Sequence, residues 1–150
     1  MAAALRLDGV TKRFAPATRG APPVEALRDM SFELAHGRLL GLVGPDGAGK
    51  TTLLRLLAGL TEADEGSIEV LGAPVSQLDL SRIGYMPQGG GLYHELSVER
   101  NLELYARLRG MEPDEAGERM EQIYRLTALG PFRAREAGAV SGGMRQKLAM

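Results

Sequence analysis

Residues 44–51 read G-P-D-G-A-G-K-T and satisfy the phosphate-loop pattern G-x-x-x-x-G-K-[ST] at every position. Backbone N–H groups between Gly47 and Thr51 can turn inward to bind an anion, and a following helix directs the positive end of its dipole at that anion. Lys50 would reach the β- and γ-phosphates of a nucleotide, the Thr51 hydroxyl would ligate Mg²⁺, and Thr52 is placed for the α-phosphate. The pattern predicts a nucleotide-binding loop. Its binding residues are Gly44, Pro45, Asp46, Gly47, Ala48, Gly49, Lys50, Thr51 and Thr52.

The segments on either side of this loop have the composition that the motif requires. Leu39 to Val43 is a continuous apolar run, as expected of a parallel strand that is covered on both faces. Residues 50–58 are rich in leucine and predict a helix that ends at Gly59. A strand, a glycine-rich turn and a helix follow one another, and this order favours the nucleotide loop over a turn that binds nothing.

Upstream, the sequence predicts two strands joined by a hairpin loop. Residues 5–14 alternate loosely, as a half-solvated edge strand does, and residues 24–34 resume the pattern after a small, polar loop at residues 15–23. Phe14 ends the first strand. An aromatic residue at such a position usually belongs to the core.

Downstream, two short strands are predicted at residues 66–72 and 82–86, and Gln88 follows the end of the second strand. Three consecutive glycines at residues 89–91 favour a hinge. The sequence then becomes helical. The predicted helices run from Val98 to Arg109, after an N-cap at Ser97, and from Pro113 to about Leu126, with apolar stripes at Leu102, Tyr105 and Leu108 and at Met120, Ile123 and Tyr124.

A second anion-binding pattern lies near residue 141. Ser141 offers a hydroxyl, and Gly142 and Gly143 expose backbone N–H groups immediately before an apparent helix. Alone, this pattern is weak evidence for a site, because serine-glycine helix starts are common and mostly structural.

Bulk composition excludes several classes of protein. The chain of 150 residues is 44% hydrophobic and 25% charged, which is ordinary for a globular domain with a core. A net charge of −1 does not provide the excess of positive charge that nucleic-acid binding usually requires. The absence of cysteine excludes disulfides and thiolate metal sites. No apolar run reaches the roughly 18 residues of a membrane span, and no signal-peptide core is present.

Taken in order, the motifs resemble the nucleotide-binding domain of ATP-binding cassette (ABC) proteins. Residues 44–51 match the Walker A motif of that family, Gln88 in Y-M-P-Q matches its Q-loop, and Phe14 occupies its aromatic A-loop position. Residues 141–143 match its signature motif, with Val140 and Met144 replacing the usual Leu and Gln. The resemblance covers nearly the whole chain and is strongest to bacterial multidrug-type export ATPases.

The resemblance implies an α/β fold with a P-loop NTPase core, an antiparallel β edge and a helical subdomain. It implies a core at residues 1–88 and a helical subdomain at residues 89–150. ATP and Mg²⁺ are the implied cofactors, with Thr51 and Gln88 at the metal and Gln88 as the catalytic sensor of the γ-phosphate. The implied nucleotide contacts include Phe14, Ser141, Gly142 and Gly143 besides the loop residues named above.

The resemblance also implies partners and a location. ATP would lie between the loop of one cassette and the Ser141–Gly143 turn of a second, and a transmembrane permease would receive the signal, at the cytoplasmic face of the bacterial inner membrane. No nucleic-acid partner is expected. Two other classes stay open, a soluble ribosome-associated ATPase of the same family and a P-loop kinase.

One departure from the family concerns the residues that complete its active site. The Walker B Asp and catalytic Glu, the D-loop and the switch His follow the signature helix in the family, and no residue here matches them. We therefore expect a fragment of a longer ATPase, with a decayed cassette as the alternative. Residues 1–150 alone are predicted to show no ATP turnover, because a hydrolytic water needs an orienting residue.

Overall fold

The computed structural model describes residues 3–16, 18–79, 82–88 and 90–149. Two compact units make up the chain, Met1–Ile83 and Gly84–Met150. Gln88 lies in the second of these units. Among the described residues, no helix combines the length and apolar character needed to cross a bilayer.

The first unit contains a four-stranded sheet in the order β2-β1-β3-β4. Its neighbouring strands all pair antiparallel. The predicted hairpin is confirmed, but β1 lies inside the sheet and the predicted edge position is wrong. The loose alternation arises because one face of β1 packs on the core. Along its two edges, β1 is hydrogen-bonded to β2 and to β3. The strands are β1 Ala3–Phe14, β2 Val24–Ala35, β3 Glu65–Val70 and β4 Ala73–Pro74.

One helix, α1 (Lys50–Leu57), packs on this sheet. The Gly59 N–H donates to the Leu56 carbonyl and the Leu60 N–H donates to the Arg55 carbonyl, which closes the helix where the sequence predicted. Leu53 and Leu56 of the helix are buried against the sheet, whereas Leu54 is 47% exposed. The buried core comprises Leu5, Leu7, Val10, Leu27, Leu53, Leu56, Ile68 and Val70.

The apolar run from Leu39 to Val43 is not a strand in this structure. Leu39 and Val43 are each 99% exposed, and no described strand pairs with the segment. The run indicates a tendency to be buried, but a strand also needs a neighbour for its backbone, and an apolar pattern does not identify that neighbour. The strand predicted at residues 82–86 is also wrong, since none of these residues belongs to a strand.

The second unit is helical. Its core joins apolar residues of the helices in the described part of the unit and of the turns between α3 and α4. The helices are α2 Val98–Leu108, α3 Pro113–Thr127 and α4 Gly142–Ala149. Short 3-10 turns occupy Val75–Gln77 in the first unit, and Gly130–Phe132 and Ala137–Ala139 in the second. The buried core comprises Val98, Leu102, Tyr124, Leu129, Ala137, Val140 and Leu148.

The local signals for these helices are confirmed, but the stripe on α2 is only partly correct. The Ser97 hydroxyl accepts a hydrogen bond from the Arg100 N–H at 3.1 Å and caps α2. Of the predicted stripe, Leu102 is buried, whereas Leu108 is 68% exposed. The Tyr105 hydroxyl donates to the Gly91 carbonyl instead of entering the core. The stripe on α3 packs in the core as predicted.

Asn101 is the buried polar residue of α2 that the apolar pattern did not predict. It is fully buried, and its side-chain oxygen accepts from the Tyr93 N–H at 2.9 Å. Its side-chain amide lies within hydrogen-bond distance of the carbonyls of Tyr93, Leu96 and Ser97. One side chain thus satisfies several backbone groups of the loop before α2 and holds that loop against the helix.

Candidate functional site

The loop at residues 44–49 leads directly into the N-terminus of α1. The first backbone hydrogen bond of the helix runs from the Leu53 N–H to the Gly49 carbonyl at 2.9 Å, so the N–H groups of the preceding residues have no partner within the helix. Residues 44–48 are exposed. Free donors and a helix dipole therefore meet at an open surface, which is the arrangement that binds phosphate.

Two glycines of the loop serve different purposes. Gly47 and Gly49 both have φ +81°, which L side chains rarely adopt. Around Gly47 there is open space. At Gly49, a Cβ atom would lie 2.3 Å from the Ala26 carbonyl oxygen and 2.9 Å from Leu27 Cδ2. Gly49 therefore lets the loop lie directly against β2, and Gly47 only sets the direction of the turn.

The Lys50 side chain folds back over the loop. Its Nζ donates to the Gly44 carbonyl at 2.7 Å and to the Pro45 carbonyl at 2.6 Å. The ammonium group is thereby held against the loop, and an anion bound there would compete with the two carbonyls for it.

The next two residues offer hydroxyl groups on the first turn of α1. Thr51 is exposed and Thr52 is half-buried. Among the described residues, no group of three or more His, Cys, Asp or Glu side chains is arranged to hold a metal ion. Hydroxyl oxygens such as these are of the kind that Mg²⁺ accepts in proteins, with waters and substrate phosphates completing the shell.

Phe14 lies at the same end of the sheet as the loop. It is the last residue of β1, is 42% exposed, and pairs with Val24 of β2. Ala26, which Gly49 approaches, follows Val24 by two residues, or about 7 Å along the strand. The structure thus brings an exposed aromatic ring and the phosphate loop together within the first unit.

The other predicted site residues lie in the second unit. Gln88 is exposed and follows Pro87, whose carbonyl accepts from the Gly90 N–H at 2.8 Å. The predicted hinge is partly outside the described residues, because Gly89 is not among them. Gln88 and the Ser141–Gly143 turn belong to a different unit from Phe14 and the loop.

The turn at Ser141 starts α4, as the sequence predicted. The Ser141 Oγ accepts from the Met144 N–H at 3.3 Å, and a Cβ on Gly142 or Gly143 would meet open space. Arg145 Nη1 donates to the carbonyls of Gly138 and Val140 at 3.2 and 2.7 Å. The helix therefore supplies a side chain that fixes the turn before it, and the N–H groups of the turn are sterically accessible.

Sequence reasoning missed Asp64, which lies beside the end of β1. Its carboxylate accepts from the Arg13 N–H at 2.5 Å and from Lys12 Nζ at 2.9 Å. The pKa of the Asp64 carboxyl lies below its usual range, chiefly because the Arg13 backbone N–H donates to it and also because of the Lys12 ammonium. In the sequence, Asp64 is one of several acidic residues in a turn, and no local pattern distinguishes it.

Comparison with known proteins agrees with this geometry. A family profile described as "ABC transporter" matches residues 27–150. The chain is 42% identical over 151 aligned positions to the "Probable multidrug ABC transporter ATP-binding protein YbhF" of Escherichia coli (strain K12), covering 99% of this chain and 25% of that protein. It is 34% identical to the sulfate/thiosulfate import ATP-binding protein CysA of Synechocystis sp., covering 96% of this chain and 39% of that protein.

Another relative is the Nod factor export ATP-binding protein I of Rhizobium sp. (strain N33), with 35% identity over 98% of this chain and 47% of that protein. The chain thus spans about a quarter to a half of the length of these relatives. Among solved structures, the fold is similar to the ATP-binding cassette MJ0796 in a dimeric post-hydrolysis state bound to ADP and Pi. That match has a TM-score of 0.82 at 24% identity and covers 97% of this chain and 66% of that one. The phosphate loop, the antiparallel strands and the helical unit together have the fold of an ABC cassette, and the chain belongs to the ABC transporter family.

Proposed function

We propose that this chain binds MgATP as part of an ABC ATPase that drives export across the bacterial inner membrane. The observation that carries the proposal is the loop at the start of α1, where amides without a partner in the helix lie beside the Lys50 ammonium, which is held at the Gly44 and Pro45 carbonyls. Relatives named as exporters and as importers both match the chain. The 42% identity to a protein named as a multidrug transporter supports export.

Each residue of the proposed ATP site has a role that follows from its chemistry. The loop amides and Lys50 hold the β- and γ-phosphates, and in doing so Lys50 exchanges the Gly44 and Pro45 carbonyls for phosphate oxygens. The Thr51 hydroxyl contributes an oxygen to Mg²⁺, which neutralises phosphate charge when bound. Phe14 stacks on the adenine ring. Gln88 contacts the γ-phosphate and Mg²⁺, and the full cassette acts as an ATPase.

A second cassette completes the proposed site. The Ser141 hydroxyl and the accessible N–H groups of Gly142 and Gly143 would contact the ATP held by the loop of that second cassette. The dimeric structures of MJ0796 support this arrangement. The second cassette is either a copy of this chain or a tandem cassette in the same polypeptide.

A groove in the second unit supports docking of a transmembrane permease. It has a volume of about 630 Å³ and is lined mostly by apolar side chains, with Met86 and Pro87 next to Gln88 and with Tyr105 and Ile123 from α2 and α3. A segment of the permease seated there would contact the residues on either side of Gln88. The protein would then be peripheral at the cytoplasmic face of the inner membrane, and fractionation with ribosomes would instead indicate the soluble class.

The test is titration calorimetry of ATP with the intact protein and its Lys50→Ala variant. A charge-assisted contact contributes about 1.5–3 kcal/mol, so the Kd should rise more than about tenfold. The matched control is Arg55→Ala, which removes the same charge from an exposed position in the last turn of the same helix. An unchanged Kd for Lys50→Ala, or an equal rise for both variants, would remove the site assignment.

A further inference from the structure

The end of β1 that carries Phe14 extends past the end of its neighbour β3. The last pair between these strands joins Thr11 to Glu65, the first residue of β3. From Lys12 to Phe14, β1 therefore has a strand partner only on the β2 side. A strand end that is hydrogen-bonded on one side alone is free to fray unless other groups hold it.

Asp64 occupies the place where β3 would have continued. Its own N–H donates to the Thr11 carbonyl at 2.9 Å, and its carboxylate accepts from the Arg13 N–H at 2.5 Å. The carboxylate thus replaces the missing strand partner one residue before Phe14. This bond is to the backbone, so it restrains the course of the chain as it reaches Phe14.

The same carboxylate also controls the surroundings of the Phe14 ring. It accepts from Lys12 Nζ at 2.9 Å, and that Nζ lies 5.5 Å from the centre of the ring. The Lys12 side chain is only 13% exposed. A lysine side chain with so little exposure needs a partner for its charge, and Asp64 supplies it while the ammonium stays over the ring.

We infer that Asp64 is a positioning residue for base binding: through the Arg13 amide and the Lys12 ammonium it holds Phe14 in place to stack on the nucleobase. This role rests on the proposed function of Phe14 as the ATP platform. Asp64 itself does not contact the nucleotide. Its removal should therefore weaken the recognition of the base and leave the binding of the phosphates unchanged.

If Asp64 acted on the nucleotide only through its negative charge, its removal would have the opposite effect on binding. Removing a negative charge near the site favours the binding of an anion, so a field effect of Asp64→Ala would strengthen the binding of any polyphosphate. Glu65 is the matched control for this effect. It is the next residue, also acidic, and its carboxylate pairs with the Arg13 guanidinium at 2.6 Å rather than with a backbone N–H.

The experiment measures the Kd of ATP and of inorganic tripolyphosphate by calorimetry with the intact protein. Loss of one base–aromatic stack in Phe14→Ala should raise the Kd of ATP about 5- to 150-fold. Asp64→Ala only loosens the platform, so we expect a rise of roughly three- to tenfold for ATP and none for tripolyphosphate. Glu65→Gln should weaken neither ligand. In the double variant of Phe14→Ala and Asp64→Ala, the Kd should equal that of Phe14→Ala alone.

Three results would overturn the inference: an unchanged or lower Kd of ATP in Asp64→Ala, an equal rise for both ligands, or additive effects in the double variant. If circular dichroism shows that Asp64→Ala is unfolded, Asp64→Asn takes its place, because it keeps an oxygen for the Arg13 amide but loses the charge that pairs with Lys12. Lys50→Ala separates the two proposals. If it weakens both ligands while the Asp64 variants weaken neither, only the role of Asp64 is lost, whereas no effect of Lys50→Ala on either ligand removes the ATP site itself.

Discussion

Alanine at Gly49 and at Gly47 should destabilise the first unit by different amounts, although both residues have φ +81°. The left-handed conformation costs an alanine roughly 1–2 kcal/mol, and the lower entropy of the unfolded chain returns about 0.4–1 kcal/mol. Open space surrounds Gly47, so its substitution should lower the free energy of unfolding by about 1 kcal/mol. The same backbone term applies at Gly49.

At Gly49 a steric term adds to the backbone term. The new Cβ would lie 2.3 Å from the Ala26 carbonyl oxygen, whereas ordinary contacts begin near 3.4 Å. The loop or β2 must shift by about 1 Å, next to Leu27, which is buried in the core. Overpacking of this kind costs about 1–3 kcal/mol, so the total loss at Gly49 should be about 2–4 kcal/mol.

Urea denaturation without nucleotide, followed by far-UV circular dichroism, measures both losses independently of ATP binding. With an m-value of about 1–3 kcal/mol per M, the midpoint for Gly49→Ala should fall about 1 M below that for Gly47→Ala. Equal midpoints for the two variants would refute the close approach of the loop to β2, and with it the argument that places Phe14 beside the loop.

Three further predictions concern other parts of the chain. Asn101→Ala should lower the free energy of unfolding by about 2–4 kcal/mol, because it leaves buried backbone groups of the preceding loop without partners; a urea midpoint like that of the native protein would contradict this. Gln88→Ala should preserve the Kd of ATP and uncouple hydrolysis from transport in the intact transporter, and an equal fall in both rates would count against a sensor role. The folded-state pKa of Asp64 is lowered by the Arg13 amide, so its contribution to stability is present above about pH 4 and is lost as the pH falls through the folded value. Asp64→Asn should therefore show a shallower loss of stability than the native protein in acid titrations below about pH 4, and identical slopes would exclude this contribution.

The helices could be predicted from the sequence because their signals are local. Ser97 caps α2, Pro113 begins α3 and Gly59 closes α1, each through contacts within a few residues along the chain. The phosphate loop belongs to the same class, since its glycines and lysine act on the backbone that contains them.

Two of the features that sequence reasoning missed depend on partners far away in the sequence. The segment at residues 39–43 has the composition of a buried strand, but pairing requires a second backbone beside it. Asp64 reaches Arg13 across 51 positions of the chain, and its role follows from where β3 begins. The role of Asn101 could not be predicted either, although its partners are near in the sequence. A pattern of apolar residues does not show which backbone carbonyls of a loop need a hydrogen-bond donor.

The bonds from Arg145 to the turn before α4 have a consequence for the entropy of assembly. A loop that must become ordered when it meets its ligand loses conformational freedom of about 1–2 kcal/mol per residue, and that loss is subtracted from the affinity. Here the guanidinium already ties the carbonyls of Gly138 and Val140 to the helix. The conformational freedom at Ser141 is therefore lost during folding rather than during association. A partner that meets this turn encounters a rigid surface, and its dissociation rate should respond more to substitution at Arg145 than its association rate does.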